Sequence, residues 1–477
     1  MNYKLKKINT KNNTYLYDGV TSNILEMENK NSEAITRAIA CVNDNKEDST
    51  SEFYEIIDGI KNELIAKNST DKMQYWYNLN EYLKSYKSEI KHLMLGVTEK
   101  CNLRCKYCVY GGHYKNERTH SEKVMSFETA KNAVDWFMKY SQKDLKIFNF
   151  YGGEPLSNFK LIKKISEYIS SVADNYQLFI TSNGTLLTDE VIDWIIENEE
   201  VVMYISIAGI PEIHDRLRVF KNTEKGSFEI IKNNVLRIKE KSIDTFSKRI
   251  NFVFNIFDER QLFAIRDLWN NDEMFEGLEN LPEITFIDCV EDDGEVQKLY
   301  DSETALLDNV NPLDEYISLL EKNIKNDIIV KFYDERLVFV KNRETKCLEN
   351  YIGGVCRPFI HKLFVDVDGN IHPCENFIYD NKFGNVNTKS DLDNIKDMLI
   401  TYLNGRTSVC SNCWASKLCT LCYKDLIDKD GNIDYSRAKN ICENERAKIE
   451  KDLVDYCTVL EKDDSLLDHL NEIILHE

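Results

Sequence analysis

Three cysteines lie within the eight residues of the segment CNLRCKYC, at Cys101, Cys105 and Cys108. The spacing CxxxCxxC brings three thiolates together on a short loop, and thiolates bind zinc ions and iron–sulfur clusters. A complete site of either kind has four ligands, and no fourth cysteine lies beside these three. Either a distant residue supplies the fourth ligand, or one metal position stays open for a substrate or cofactor.

A second group of cysteines lies toward the end of the chain. Its members are Cys347, Cys356, Cys374, Cys410, Cys413, Cys419, Cys422 and Cys442. Residues 410–422 follow the pattern C-x2-C-x5-C-x2-C, which is typical of a structural zinc ribbon. Eight cysteines are also enough for two four-ligand clusters, so both interpretations stay open at this point. Cys41, Cys289 and Cys457 stand alone, and we assign them to packing.

Composition and charge exclude several classes of protein. The 477 residues are 42% hydrophobic, which is ample for packed cores and argues against disorder. A net charge of −20 argues against a nucleic-acid partner, which needs a basic face. The sequence shows no apolar run of membrane-spanning length and no signal peptide, so we expect a cytoplasmic protein. The 14 cysteines of such a protein are better explained as metal ligands than as disulfides.

Strand and helix patterns alternate across the middle of the chain, which predicts an α/β fold with a parallel sheet of about six units. The strand segments are HLMLGV, LKIFNFY, YQLFIT, VVMYISI, RINFVFNI and EITFIDCV. Thr188 and Asp189 offer a cap to one of the helices between them, and Asp258 offers a cap to another. The cysteine loop follows the first strand, residues 152–155 (GGEP) follow the second and residues 182–184 (SNG) follow the third, while Ser206 lies near the end of the fourth. Ligand sites of parallel sheets lie at the carboxyl ends of the strands, so these features predict one active site.

The flanking regions have other patterns. Residues 1–90 begin with strand-like segments, YKLKKI and YLYDGVTSNILEME, and continue with helical patterns at NSEAITRAIA and SEFYEIIDGIKNEL, which suggests a small binding module. Residues 301–346 form a bridging segment with the helical stretch NPLDEYISLLEKNI and a further segment, IIVKFYDERLVFV. Residues 347–445 hold the second cysteine group, and residues 446–477 include a helix predicted from IEKDLVDYCTVLEKD.

The central region, residues 91–300, resembles the radical S-adenosylmethionine (SAM) superfamily in several motifs that occur in the same order. CNLRCKYC resembles the cluster motif, including an aromatic residue, Tyr107, before the third cysteine. YGGEP at 151–155 is similar to the motif that contacts the SAM amino group, and TSNG at 181–184 to a turn near the ribose. SIAGIPEIHDRLR at 206–218 resembles the segment whose serine and arginine meet the ribose or the carboxylate.

The resemblance implies a partial (β/α)6 barrel in which Cys101, Cys105 and Cys108 hold a 4Fe-4S cluster with one iron free to chelate SAM. One electron, from a flavodoxin- or ferredoxin-type donor, would cleave SAM to methionine and a 5′-deoxyadenosyl radical. It assigns no catalytic base, and many relatives have Asp where this chain has Ala208. The residues that the resemblance assigns to SAM are Tyr107, Gly152, Gly153, Glu154, Ser182, Asn183, Ser206 and Arg218.

The second cysteine group resembles the SPASM extension of radical SAM peptide-modifying enzymes, which holds two auxiliary 4Fe-4S clusters. The implied ligands of auxiliary cluster I are Cys356, Cys374 and Cys422, and those of auxiliary cluster II are Cys410, Cys413, Cys419 and Cys442. Relatives usually have three residues where Thr420 and Leu421 make two. Cys347 either completes cluster I or is an unliganded thiol that leaves an iron open for a substrate cysteine.

The N-terminal module resembles the winged-helix-like element by which maturases of ribosomal peptides take a leader peptide as an added strand. Residues 108–121 (CVYGGHYKNERTHS) look like the segment after the cluster in maturases of cysteine-rich peptides, which commonly form thioether crosslinks. We assign His113 and His120 in this segment to structural roles. The resemblance thus implies a thioether-forming maturase of a ribosomal precursor peptide. The alternatives are carbon–carbon crosslinking, epimerisation, sulfatase-type maturation, and a non-catalytic zinc protein that binds peptides.

Overall fold

The computed structural model describes residues 4–27, 32–43, 74–75, 77–114, 118–287, 294–342, 351–353, 356–377, 383–388, 392–426 and 434–473. The strands are β1 (Leu5–Asn9), β2 (Thr14–Asp18), β3 (Ile24–Glu26), β4 (Gln74–Tyr75), β5 (His92–Thr98), β6 (Leu103–Cys105), β7 (Lys146–Gly152), β8 (Tyr176–Ser182), β9 (Val201–Ala208), β10 (Arg218–Phe220), β11 (Ile250–Ile256), β12 (Glu283–Phe286), β13 (Tyr351–Ile352), β14 (Leu363–Val365) and β15 (Ile371–His372). The helices are α1 (Ser32–Asn43), α2 (Leu79–Ser85), α3 (Phe127–Tyr140), α4 (Phe159–Val172), α5 (Asp189–Glu197), α6 (Pro211–Leu217), α7 (Phe228–Lys241), α8 (Ile243–Arg249), α9 (Leu262–Asn271), α10 (Glu295–Thr304), α11 (Pro312–Glu321), α12 (Ile328–Lys341), α13 (Asn394–Cys410), α14 (Tyr423–Leu426) and α15 (Tyr435–Leu460).

The central sheet confirms the predicted α/β fold with its six parallel units. Its strand order is β12-β11-β9-β8-β7-β5-β14-β15, and the six strands from β5 to β12 are parallel neighbours. Parallel strands need crossover connections, and helices supply them. The carboxyl ends of these strands lie at one edge of the sheet, so the cysteine loop and the two glycine-containing turns meet there.

Local signals explain where several of these helices begin. The Ser126 hydroxyl accepts a hydrogen bond from the Thr129 amide at the start of α3, and Thr188 caps α5 as the sequence predicts. Asp258 and Gln261 form a reciprocal capping box before α9. The segment IIVKFYDERLVFV, to which the sequence assigned no clear type, is helix α12. The sequence did not predict α8.

A hairpin from the second cysteine region extends the central sheet, which the sequence did not predict. Strand β14 pairs in parallel with β5, and β15 pairs with β14 in the antiparallel sense. A Cβ atom at Gly96 in β5 would lie 2.8 Å from the Phe364 ring, so the glycine makes room for that ring. The two cysteine regions therefore share one sheet.

The N-terminal strands β1, β2 and β3 form an antiparallel sheet that packs against the C-terminal region. The Tyr17 ring meets the Trp414 ring edge to face at 6.2 Å, and the Lys417 ammonium donates a hydrogen bond to the Val20 carbonyl. A Cβ atom at Gly19 would lie only 2.2 Å from the Trp414 carbonyl oxygen. The helical pattern predicted at residues 51–64 lies outside the described residues, so the winged-helix-like assignment stays a prediction.

Two predicted boundaries fall inside helices. The boundary at residue 300 lies within α10, and the boundary at residue 446 lies within α15, which begins at Tyr435. Helix α15 continues through the predicted C-terminal helix and buries Cys457 in the core, as expected for a packing cysteine. None of the helices in the described ranges is long and apolar enough to cross a membrane.

Candidate active site and cluster-binding cysteines

The loop with the first three cysteines is held from two sides. Strand β6 within it pairs with β10, which places Arg218 opposite Cys105, and the Cys108 amide donates to the Cys105 carbonyl at 3.0 Å. Burial raises the pKa of both Cys101 and Cys108 to about 12, and each of these thiols is also influenced by the charge of Cys105. A bound metal replaces such thiol protons outright. The three thiols are thus neighbours on one loop. They fit an iron–sulfur cluster, whose positive iron ions would take the place of the thiol protons.

The turn that follows β7 crosses directly over the chain that leads to Cys101. The Gly153 amide donates to the Thr98 carbonyl at 2.9 Å, and the Glu154 amide donates to the Lys100 carbonyl at 2.7 Å. A Cβ atom at Gly152 would lie 2.1 Å from the Thr98 oxygen, and one at Gly153 would lie 2.2 Å from the Lys100 oxygen. Both positions therefore require glycine for this close approach.

The Glu154 carboxylate lies beneath the turns and connects them. It is fully buried and accepts hydrogen bonds from the Ser182 hydroxyl at 2.8 Å, the Asn183 amide at 2.7 Å and the Leu156 amide at 3.0 Å. Burial raises the pKa of Glu154, and these hydrogen bonds oppose that rise. The arrangement indicates that Glu154 orders the turns after β7 and β8; a direct contact with SAM stays a prediction.

Asn183 lies between the turn after β8 and the cysteine loop. Its side-chain amide nitrogen donates to the Asn102 side-chain oxygen at 2.9 Å and lies 3.9 Å from the Cys101 sulfur. Its side-chain oxygen accepts from the Thr185 amide and hydroxyl. The structure thus brings together Asn183, Ser182, Glu154 and Cys101, as the sequence predicts.

Arg218 is buried and donates to the Tyr107 hydroxyl at 2.8 Å. A buried histidine that the sequence did not single out supports it. His214 accepts from the Ala208 amide at 3.3 Å and lies 3.0 Å from the Ser227 hydroxyl, which donates to the Arg218 carbonyl at 2.9 Å. Burial lowers the pKa of His214 to about 2, so the ring is neutral. Only its place in the segment SIAGIPEIHDRLR could have suggested this role.

Ser206 lies on the face of the sheet opposite the helices. In β9 it alternates with Ile205 and Ile207, which are fully buried. Its hydroxyl has no hydrogen-bond partner among the residues that the structure describes and is available to a ligand. Tyr204 shares this face, and its ring meets the Phe179 ring of β8 at 5.9 Å.

One arginine connects the first cysteine loop with the second cysteine region. The Arg118 guanidinium donates to the Tyr110 hydroxyl at 2.8 Å and to the Glu375 carbonyl at 2.7 Å. It also lies 4.3 Å from the centre of the Phe364 ring. Tyr110 is two residues from Cys108, and Glu375 is next to Cys374. The sequence did not identify Arg118 as a site residue.

The two predicted histidines occupy different places. The Nε2 atom of His120 lies 3.7 Å from the Cys108 sulfur, and His113 lines a surface pocket with Cys105 and α10. His120 therefore contacts Cys108, a predicted cluster ligand. Its structural role includes forming part of the environment of that sulfur.

The second cysteine group divides into two sets, and Cys422 belongs with the earlier cysteines. A hydrogen bond with Cys422 lowers the pKa of Cys356, and the charge of Cys422 helps burial to raise the pKa of Cys374 to about 12. Cys410, whose pKa burial also raises to about 12, is influenced by the members of the other set, which are Cys413, Cys419 and Cys442. Cys347 lies outside the described residues.

These sets fit iron–sulfur clusters better than a zinc ribbon. A ribbon on residues 410–422 needs Cys422 beside Cys410, Cys413 and Cys419, and the structure pairs Cys422 with Cys356 instead. Within the described ranges no three Cys, His, Asp or Glu side chains are close enough for a single metal ion. No disulfide joins any of the cysteines that the structure describes.

The comparisons with known proteins agree with this site. The profile of the radical SAM superfamily matches residues 95–283, and that of SPASM, an iron–sulfur cluster-binding domain, matches residues 356–414. The chain is thus a radical SAM protein that carries a SPASM domain.

Two of the relatives that match over most of this chain are named enzymes. A cysteine-type anaerobic sulfatase-maturating enzyme of Clostridium novyi is 25% identical over 76% of this chain and 94% of its own length. The radical SAM cyclopropyl synthase TigE of Paramaledivibacter caminithermalis is 26% identical over 73% of this chain and 71% of its own. An uncharacterized protein of Methanocaldococcus jannaschii is 40% identical, but the match spans 30% of this chain and 47% of that relative.

A solved structure shows the same fold. Native anSMEcpe with bound AdoMet superposes with a TM-score of 0.52 at 17% identity, covering 80% of this chain and 100% of the other. The fold of the whole neighbour is therefore present in this chain.

Proposed function

We propose that this protein is a radical SAM maturase that forms thioether crosslinks in a cysteine-containing ribosomal precursor peptide. The N-terminal module binds the leader of that peptide, and a flavodoxin- or ferredoxin-type protein supplies the electrons. The named activities of the relatives, sulfatase maturation and cyclopropyl synthesis, support a peptide or protein substrate. Three 4Fe-4S clusters and SAM are the proposed cofactors.

The observation that carries the proposal is the short connection between the two cysteine regions. Arg118 contacts Tyr110, two residues after Cys108, and Glu375, which follows Cys374. Strand β14, which precedes Cys374, pairs with β5, which precedes Cys101. A substrate held at the carboxyl edge of the sheet lies between the two. A peptide carbon that loses a hydrogen atom at the first site could therefore bond to a peptide thiolate, already deprotonated, at the second, and the auxiliary cluster would accept the one electron left over.

The chain's own residues position these reactants. When bound, the first cluster and SAM supply a radical that removes one hydrogen atom from the substrate. The glycines at 152 and 153 keep the backbone of the turn close to the cysteine loop, while Arg218 and Ser206 offer polar groups to the cofactor. Cys356, Cys374 and Cys422 are three thiolates, and such a set leaves one position for a substrate cysteine. Cys347 determines whether that position stays open.

Sulfatase-type oxidation of a cysteine or serine side chain is the second candidate. It is favoured by the Clostridium novyi relative, since the match covers 94% of that enzyme. Carbon–carbon bond formation is a third outcome of the same radical chemistry.

Mass spectrometry of a peptide product tests the proposal. The reconstituted protein is incubated with SAM, a reductant and the cysteine-containing peptide encoded beside its gene, and the peptide is then treated with iodoacetamide. Formation of a thioether lowers the mass of the peptide by two hydrogens and leaves one fewer cysteine for iodoacetamide to alkylate. Loss of two hydrogens with every cysteine still alkylated indicates carbon–carbon crosslinking, and conversion of cysteine to formylglycine indicates sulfatase-type chemistry; either result overturns thioether formation. The matched control is the triple Cys101/Cys105/Cys108→Ala variant, which retains the other cysteines.

A further inference from the structure

Arg406 is a buried cation in the middle of the second set of cysteines. It lies in α13, one turn before Cys410, and is only 1% exposed. It lines a pocket together with Cys410, Cys413, Cys419 and Cys442. A fully buried arginine is rare in proteins unless a negative charge compensates it.

The residues that the structure describes supply no carboxylate for this charge. One terminal nitrogen of the Arg406 guanidinium lies 3.6 Å from the Cys419 sulfur, and the other donates to the Tyr402 hydroxyl at 3.1 Å. Its Nε atom has no hydrogen-bond partner. Glu445 lines the same pocket, but it accepts hydrogen bonds from the Thr420 amide and hydroxyl, and no ion pair joins it to Arg406.

The first auxiliary set has a different electrostatic surrounding. Lys362 influences both Cys356 and Cys374 and forms an ion pair with Glu375 at 2.7 Å, while Arg357 directly follows Cys356 in the chain. The carboxylate cancels the charge of that lysine. At the second set, by contrast, no carboxylate among the described residues forms an ion pair with the Arg406 guanidinium, although Glu445 and Arg446 line the same pocket.

We propose that Arg406 is the charge partner of auxiliary cluster II and raises the reduction potential of that cluster. The inference rests on the cluster assignment of the proposed function. Reduction adds one electron, and therefore one negative charge, to a cluster that four thiolates already make anionic; the guanidinium stays protonated and no bond is formed or broken. Hydrogen bonds to cluster sulfurs and nearby charge set cluster potentials. Arg406 is in this sense a positioning residue, because it acts through the cluster.

The test is an EPR-monitored redox titration of the reconstituted protein with the variants Arg406→Met and Arg406→Lys. The Cys442→Ala variant identifies the EPR signal of cluster II, because that signal disappears in this variant. A charge-assisted hydrogen bond changes an equilibrium constant by about tenfold to a hundredfold. At about 59 mV per tenfold change for one electron, Arg406→Met is expected to lower the midpoint potential of cluster II by about 60 to 120 mV. Arg406→Lys keeps the charge but loses the planar donor, so its shift is smaller.

A matched control is Arg336→Lys. Arg336 is a partly buried cation that is already paired with Asp452, Asp455 and Glu259, so its substitution lowers stability without moving the potential of cluster II. An unchanged potential in a fully loaded Arg406→Met protein overturns the inference. If Arg406→Met does not fold, Arg406→Gln, which removes the charge but keeps a polar side chain, replaces it, and an unchanged potential of cluster II in that variant overturns the inference. If the wild-type protein binds no iron at the second set of cysteines, the cluster assignment itself is wrong. That result is distinguishable from an unchanged potential, which contradicts only the role of Arg406.

Discussion

Replacing Gly153 by alanine tests whether the close approach of two backbones forms the SAM site. The backbone at position 153 needs no left-handed conformation, so alanine adds only a methyl group. That methyl carbon would lie 2.2 Å from the Lys100 oxygen, and real Cβ atoms essentially never come within 3.0 Å. The neighbour is backbone and cannot rotate away, so the two segments must separate by at least about 0.8 Å, the difference between these two distances.

The expected cost follows from the contacts that this separation strains. Overpacking costs about 1 to 3 kcal/mol, and the hydrogen bonds to the Thr98 and Lys100 carbonyls are worth about 1 kcal/mol each. We expect Gly153→Ala to lower the free energy of unfolding by about 2 to 4 kcal/mol. A displacement of this size also moves the turn from its position over the cysteine loop, and we expect SAM affinity to fall about tenfold or more.

Equilibrium dialysis of SAM and urea unfolding of the iron-loaded protein measure both effects. Gly112→Ala, in the segment that follows Cys108, is the matched control. No described atom lies within 4 Å of its added methyl group, so only its positive φ of 91° causes strain. Wild-type SAM affinity and stability in Gly153→Ala would show that the turn is not built on this contact.

Two further predictions concern side chains that support the site. Glu154→Gln leaves one of the three hydrogen-bond donors around the carboxylate unpaired. We therefore expect a free energy of unfolding about 1 to 2 kcal/mol lower, together with weaker SAM binding. Weaker SAM binding at unchanged stability would instead indicate that Glu154 contacts SAM directly. The pKa of His214 is lowered from 6.5 to about 2, so below pH 6.5 the unfolded chain binds a proton that the folded chain does not, and stability falls by up to about 1.4 kcal/mol per pH unit. His214→Gln removes that slope, and urea unfolding from about pH 7 to about pH 5 measures the difference; equal slopes in both proteins would contradict a buried neutral ring.

Much of the site is encoded in short segments. The cysteine loop, the turns at 152–155 and 182–184 and the position of Ser206 follow from strands whose ends are visible in local hydrophobic patterns. Since parallel strands end at one edge, strand order along the chain was enough to bring these features together. Thr188 and Asp258 were likewise identified as caps because capping depends on neighbouring residues only.

Other features depend on which distant segments pack together. The span of Arg118 between two cysteine regions and the addition of β14 to the sheet each join residues far apart in the chain. The support of Arg218 by His214 and Ser227 joins nearer residues, but it depends on how α6, β10 and the start of α7 pack together. Local periodicity carries no information on such contacts, which is why none of them was predicted.

The sequence by itself determined the cysteine spacings, the alternating strands and helices and the charge of the chain, because these are properties of single segments. The tertiary structure decided that Cys422 lies with Cys356 rather than with Cys419, and that Arg406 is left without a carboxylate. Sequence spacing alone is compatible with a zinc ribbon or with interleaved clusters. The folded chain separates the two cases, because the surrounding helices and strands position each thiol before any metal binds.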